Sequence, residues 1–316
     1  MPQNEAKYDA ATALIQGARA YQEDAVIADF PVGADHGVAI ISDGMGGHAA
    51  GDIASKIVMT EVFCELKFQS ADVDEMRENI RPTLLGALDG ANACLGGHIG
   101  ENPEVDGMGA TLVAVAVFGK ELFWASVGDS PLFLFRGGKL EQINEDHSMA
   151  PQIDQMVEAG MLDEQAAKNH PDRNALTSVL TGDAVDRIDC PTEPLELKNG
   201  DFIIAASDGL QFLENDAIAR TISGNRSDGS AAIAQALIDA IDSLDDPDQD
   251  NTSIAVIGIH MTEADDDMEA ALRSAFDMFA SMEDDDDSTE DDDTPKTPSA
   301  SADADAPNKE PTEPAE

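Results

Sequence analysis

Five short acidic motifs punctuate the chain: Arg19-Ala20-Tyr21-Gln22-Glu23-Asp24, Asp43-Gly44-Met45-Gly46-Gly47-His48, Gly128-Asp129-Ser130, Ser207-Asp208-Gly209 and Asp250-Asn251. Four of the five follow or interrupt an apolar run, the placement expected of a carboxylate at the end of a strand. Carboxylates gathered inside a fold are costly unless a positive charge sits among them, and a divalent cation held by oxygen ligands is the simplest solution. Asp43-Gly44 is the most specific signal. An Asp at a strand end can offer its two oxygens to two metals. The Gly-Met-Gly-Gly that follows lets the backbone turn, so that a carbonyl approaches a metal with no Cβ in the way. Asp208-Gly209 repeats the device. Asp250 stands at the entrance of another strand beside Asn251, which tolerates tight turns. Glu23 and Asp24 precede a strand from Ala25 to Asp29. Convergence of such ends makes an all-oxygen site suited to Mg²⁺ or Mn²⁺, since no His or Cys cluster offers softer ligands.

Taken singly, each motif is weak. A lone Asp-Gly is usually a turn, Arg19 alone a surface cation and His48 alone a structural histidine. Asp246-Pro247-Asp248-Gln249-Asp250 could open a calcium loop, but its sixth position is Asn251, its twelfth is Ile257, and a strand follows where a helix is required. It is the set, in this order and with these flanks, that carries meaning.

The elements that must position these residues alternate between strand-like and helix-like. Gly37–Ile41 reads as a buried strand ending at Ser42-Asp43. Ala50–Lys67 reads as a helix with Ile53, Ile57, Val58, Val62, Phe63 and Leu66 at helical spacing, and Asn79–Leu95 as a second with Pro82 in its first turn. Thr111–Phe118, Leu122–Val127 and Leu132–Phe135, with the glycine turns Gly119-Lys120 and Gly137-Gly138, predict a meander of strands. Asp201–Ala206 is another buried strand, Ala231–Leu244 a helix and Asn251–Ile259 a closing strand. Runs of strands with helices between them predict an α+β layered fold. Ser148–Leu180 holds no strong strand and reads as a helical excursion or a flap near the site.

The 316 residues, 42% of them hydrophobic, suffice for one large domain or two small ones, here drawn as a folded domain over 8–260. Met268–Met282, inside a segment 261–282, could form an amphipathic helix, whereas 283–316 is an acidic stretch without hydrophobic periodicity and reads as disordered. Residues 261–316 carry 20 acidic and 3 basic side chains, a charge of −17, which leaves −29 of the total −46 on the remainder. So acidic a surface repels the phosphates of nucleic acid and of anionic membranes. It suits a basic protein partner of the tail or a saline habitat, and plain solubility explains it most simply. Cys64, Cys94 and Cys190 are odd in number and form no Cys-x-x-Cys, as in a reducing compartment. The polar first residues show no secretion signal, and the longest apolar run, Leu112–Phe118, is too short to cross a bilayer. A cytoplasmic protein is expected.

The motif set resembles the PPM family, the metal-dependent protein serine/threonine phosphatases also called PP2C-type, from about Ala11 to Gly258. The residues that carry the resemblance are Arg19-x-x-Gln22-Glu23-Asp24, Asp43-Gly-Met-Gly-Gly-His-x-x-Gly51, Gly109-Ala-Thr111, Val127-Gly-Asp-Ser130, Asp146-His-Ser148, Ser207-Asp-Gly209 and Asp250-Asn251-Thr-Ser. Asp43-Gly-Met-Gly-Gly-His is similar to the bacterial branch. The resemblance implies a four-layer αββα fold, a central β-sandwich of two antiparallel sheets flanked by helices with a binuclear centre at one end. By position it implies that Asp43 bridges two Mg²⁺ or Mn²⁺ ions, that the Gly44 carbonyl binds one of them, and that Asp208 and Asp250 bind the other. Glu23 would touch the centre directly or through water, with Asp24 and Asn251 behind it. Asp129 would join Asp208 around a weaker third ion. Arg19 would hold the substrate phosphate, for which a guanidinium has bidentate geometry. The implied reaction is hydrolysis of phosphoserine and phosphothreonine in proteins by a metal-activated bridging water, opposing a bacterial Ser/Thr kinase and without a phosphoenzyme.

Two positions depart from the family pattern. Met45 directly follows the Asp-Gly pair, so no side chain is assigned as general acid, and Pro131 replaces the Arg that usually follows Gly-Asp-Ser. A cysteine phosphatase fails on the residues, because Ser70, Gly100 and Glu196 stand where its Arg is needed. No Gly-x-Ser-x-Gly or Gly-Lys-Ser/Thr supports a serine hydrolase or a P-loop. The alternative is a non-catalytic binding protein on the same fold. Such proteins usually lose a ligand, whereas Asp43, Asp208 and Asp250 are all present.

Overall fold

The structure is a computed structural model that describes residues 8–47 and 50–261. His48, the predicted helix 268–282 and the acidic segment 283–316 lie outside the described residues. Two sheets are formed. The first runs in the order β1 (Tyr8–Ile15), β11 (Thr252–Ile259), β10 (Phe202–Ala206), β7 (Leu132–Arg136) and β8 (Lys139–Gln142). The second runs β2 (Asp24–Asp29), β3 (His36–Met45), β5 (Leu112–Phe118), β6 (Glu121–Val127) and β9 (Leu195–Glu196), with the short β4 (Gly109–Ala110) also on β3. Every pairing is antiparallel.

Strand periodicity explains the layering. Successive side chains point to opposite faces, so a strand buried on both sides is apolar throughout and splits its residues between two cores. On β3, Ala39 and Ile41 face the other sheet while Val38 and Ile40 face helices. On β5, Val113, Val115 and Val117 face inward while Leu112, Ala114, Ala116 and Phe118 face helices. On β11, Ala255, Ile257 and Ile259 meet the second sheet, and Ile254 and Val256 face outward. The helices match this demand. α1 (Ala50–Gln69) buries Ala54, Val58, Val62 and Leu66, and α3 (Ile80–Glu101) buries Leu84, Leu88, Ala91 and Leu95, each at four- or three-residue spacing on one stripe. Pro82 sits in the first turn of α3, where its missing N–H leaves no bond unmade. The short α2 (Val73–Glu78) between them is capped by Asp72, whose carboxylate accepts the Glu75 N–H at 3.1 Å. On the opposite face α6 (Asn215–Asn225) and α7 (Ser230–Asp242) cover the first sheet with Ile218, Ile222, Ile233, Leu237 and Ile241. The result is four layers, αββα, as the resemblance implied.

The expected meander is corrected in one respect. β5 pairs with β6 and β7 with β8, but β6 and β7 do not pair; they belong to different sheets. Gly128-Asp129-Ser130-Pro131 carries the chain from one sheet to the other. A row of apolar residues on each strand cannot report which neighbour it chooses, because all are buried on both faces. Among the elements with no clear signal, two cover or edge the first sheet. β1 is rich in alanine and threonine and depends on pairing with β11 along its whole length, and the apolar stripe of α6 is only Ile218 and Ile222. Residues 148–180 form a helical excursion, α4 (Ala150–Glu158) and α5 (Glu164–Lys168), tethered by isolated bridges from Ser148 to Leu176 and from Ala110 to Leu180.

Ile257 lies at the centre of the inter-sheet core with no exposed surface. Ile257→Ala is expected to lower stability by about 2–5 kcal/mol in urea unfolding, whereas Val32→Ala, at a residue 95% exposed, should change it by less than about 0.5 kcal/mol.

Candidate metal centre

The strand register brings the acidic motifs to one end of the sandwich. Asp24 opens β2 directly opposite Asp43 near the end of β3. The Gly44 N–H donates to the Glu23 carbonyl at 3.1 Å. Asp43 is held from its other side: its N–H donates to Thr111 Oγ1 at 3.0 Å, and the Thr111 N–H donates to its carbonyl at 2.8 Å. On the first sheet, Asp208 lies two residues beyond the end of β10, after Ser207, and begins a short 3-10 helix, while Asp250-Asn251 lead into β11. Ser207 and Ser253 lock these neighbouring ends, through Ser207 N–H to the Ser253 carbonyl at 3.0 Å and Ser253 N–H to Ser207 Oγ at 2.9 Å.

Two side chains bolt the sheets together here. Ser207 Oγ donates to Asp24 Oδ2 at 2.6 Å. The Asn251 amide accepts the Glu23 N–H at 2.7 Å and donates to the carbonyls of Gln16 and Tyr21 at 2.7 and 2.9 Å. Asp250 Oδ1 accepts the Asn251 N–H at 2.8 Å, and its Oδ2 pairs with the Arg19 guanidinium. Asp129 enters from the crossing between β6 and β7, where the Pro131 carbonyl accepts the Ala206 N–H at 3.0 Å and thereby fastens the crossing to β10. The departure at Pro131 thus leaves the attachment of this loop intact. Met45 is partly exposed and sits in register with Gly109.

The electrostatics show how closely these groups meet. Asp43, Asp129 and Asp208 keep some surface open to solvent, yet the protein around them is dense enough to disfavour charge. Burial, and then Asp24, Asp208, Asp129 and Asp250, push Asp43 well above the usual carboxylate range. Asp208 rises to about 7, through burial and then Asp129, Asp250 and Asp24, with Arg19 opposing. Burial carries Asp24 to about 6 against the stabilising Ser207 hydroxyl, and carries Asp129 to about 6 with Asp146 adding to it. Glu23 is raised by burial and partly relieved by Arg19. Carboxylates that repel one another in this way share a single space.

The residues fit a hard cation. Glu23 Oε1 and Asp208 Oδ1 are buried and accept no hydrogen bond from any described residue, which leaves acceptor lone pairs directed at something else. Gly44 and Gly51 supply the room. A Cβ on Gly44 would lie 1.9 Å from the Gly51 carbonyl oxygen, and one on Gly51 would lie 2.4 Å from Glu23 Oε1 and 2.7 Å from the Gly44 oxygen. A side chain at either position would fill the space between these donors. Among the described residues, no three His, Cys, Asp or Glu side chains form a ready-closed metal cage. Thr111, Ser207 and Gly51 hold this arrangement together. They lie within the motifs, but their residue types alone did not reveal these tasks.

Residues 17–255 match the family described as Protein phosphatase 2C. A putative protein phosphatase 2C-type protein of Streptococcus pyogenes is 34% identical over 192 residues, covering 59% of this chain and 72% of that protein. The serine/threonine protein phosphatase PstP of Mycobacterium tuberculosis is 33% identical over 171 residues, covering 54% of this chain and 31% of PstP. Among solved structures, the M. tuberculosis phosphatase PstP/Ppp superposes with a TM-score of 0.67 at 28% identity, covering 80% of this chain and 99% of that one. The PstP catalytic domain solved in complex with two manganese ions gives 0.64 at 26% identity, covering 80% and 99%. With its acidic centre, its paired sheets and its relatives in agreement, the chain belongs to the protein phosphatase 2C family of serine/threonine protein phosphatases.

Proposed function

We propose that the acidic cluster at the end of the sandwich hydrolyses phosphoserine and phosphothreonine in proteins. The observation that supports this most is the meeting of Asp43, Asp208 and Asp250, from strands of two sheets, in one mutually repelling group. Asp43, whose backbone Thr111 fixes, the Gly44 carbonyl, Asp208 and Asp250 would hold two Mg²⁺ or Mn²⁺ ions, and Glu23 would touch this centre directly or through water. Asp129 and Asp208 are assigned to a weaker third ion. Bound there, divalent cations supply a water of lowered pKa as nucleophile and offset charge on the phosphoryl oxygens.

The chain's own residues do the positioning. Asp24 and Asn251 hold the backbone at Glu23 and the tip of β10 in place. Arg19, with about half of its side chain exposed, stands at the rim where it can move from Asp250 to two phosphate oxygens. With Met45 beyond the Asp-Gly pair, the proton for the leaving alkoxide is assigned to solvent. The substrates are phosphorylated proteins, in opposition to a bacterial Ser/Thr kinase, and residues 8–260 are taken as the catalytic domain. No described helix is long and apolar enough to cross a membrane, and a cytoplasmic setting fits.

Hydrolysis of a phosphothreonine peptide should require Mn²⁺ or Mg²⁺ and fall to background in Asp43→Ala and Asp208→Ala; undiminished turnover in either would refute its assignment. Arg19→Ala should lower kcat/KM roughly 10- to 100-fold, the loss of one charge-assisted contact, and Arg19→Lys should recover only part of it. Removing a buried repelling charge should stabilise the protein in chelator. Asp208→Asn is expected to melt above wild type in EDTA at pH 7.5 and below it in excess Mn²⁺, where the wild type gains binding energy. A lower melting point for the variant in both media would count against the shared-charge picture.

A further inference from the structure

His147 has no exposed surface and no role in the chemistry described so far. It grips Gly128 twice. Its backbone N–H donates to the Gly128 carbonyl at 3.0 Å, and its ring Nδ1 accepts the Gly128 N–H at 3.3 Å. Gly128 has a φ of +102°, and a Cβ there would press on Thr111 Cγ2 at 2.6 Å, so this turn has no latitude for another residue. Asp129 is the next residue. On its far side, the His147 carbonyl accepts the Thr177 N–H at 2.7 Å and the Thr177 hydroxyl at 2.9 Å, and Thr177 closes the segment that contains α4 and α5.

An imidazole that accepts at Nδ1 carries its proton on Nε2. That nitrogen is buried without a hydrogen-bond partner among the described residues, and the nearest acid, Glu145, is 3.7 Å away. Burial and then Arg187 lower the pKa of the ring, against Glu145, Asp189 and Asp146, which favour charge. The neutral ring keeps its Nδ1 lone pair for Gly128. An unpartnered Nε2–H costs free energy, so packing alone does not explain a histidine here; a leucine would fill the space without that penalty.

We propose that His147 is a positioning residue, whose Nδ1 fixes the Gly128-Asp129 turn so that Asp129 faces Asp208, and whose carbonyl sets the α4–α5 segment in register with it. The proposal rests on the assignment of Asp129 to a metal. An Asn at 147 retains an acceptor at the distance of Nδ1, whereas a Gln places its polar atoms near Nε2. Titration calorimetry of the substrate-free protein with Mn²⁺ should therefore find His147→Asn close to wild type and His147→Gln weaker by about tenfold at the weakest site, the usual size of such supporting effects. Nitrogen-15 NMR of the wild type, which needs no variant and no metal, should find Nδ1 as the unprotonated ring nitrogen. Equal Mn²⁺ affinity in the Asn and Gln variants, or a proton on Nδ1, would overturn the proposal. Asp129→Asn serves as the control: unaltered Mn²⁺ binding there would remove the ligand assignment and the metal half of the proposal with it.

Discussion

Like charges must be held together against their repulsion, and the whole molecule is arranged around that requirement. Asp24, Asp43, Asp129 and Asp208 all hold protons more tightly than free carboxylates, through burial first and then through the acids around them, Asp250 among these. Nothing in the carboxylates themselves favours such a gathering. The hydrogen bonds behind them oppose the repulsion. Ser207 holds Asp24, Thr111 holds the backbone of Asp43, and Asn251 holds that of Glu23. The two bonds between neutral groups contribute about 0.5–1.5 kcal/mol each and the one to the Asp24 carboxylate about 1.5–3 kcal/mol, which together offset part of the repulsion.

Strands suit this task because their ends are fixed by a ladder rather than by a loop. Each acid here lies in a strand or within two residues of the end of one, and the strands' apolar residues are locked into the cores. A carboxylate cannot swing away without disturbing that packing, and close-packed interiors resist such movement. The bolts between the sheets matter equally. The apolar core already joins the two sheets, and Ser207 on Asp24 and Asn251 on Glu23 add polar ties at the end where the acids lie.

Much of this was legible in the sequence, and the limits have physical causes. The buried strands and long helices showed themselves because apolar residues at a period of two or of about four leave few alternatives. The acidic motifs stood out because turn glycines beside them marked strand ends. The crossing between β6 and β7 did not show, since strands apolar on both faces give no hint of their neighbours. β1 escaped notice because its stability comes from β11 rather than from its own alanines. The tasks of Thr111, Ser207 and His147 were hidden for a related reason. A hydroxyl or an imidazole acquires meaning only from the atom it faces across more than a dozen residues of chain.

The sandwich has two unlike poles. The acids Asp24, Asp43, Asp208 and Asp250 gather at one pole, while the hairpin turns at Gly119-Lys120 and Gly137-Gly138 and the loop before Phe202 mark the other, joined to it by the full length of the strands. At that far pole the tip at Gly137-Gly138 faces open space, whereas Gly119 is tied to Tyr8 and Asp35. A dye, an affinity handle or a grafted recognition loop placed at Gly137-Gly138 would travel with the enzyme while leaving the reacting end untouched.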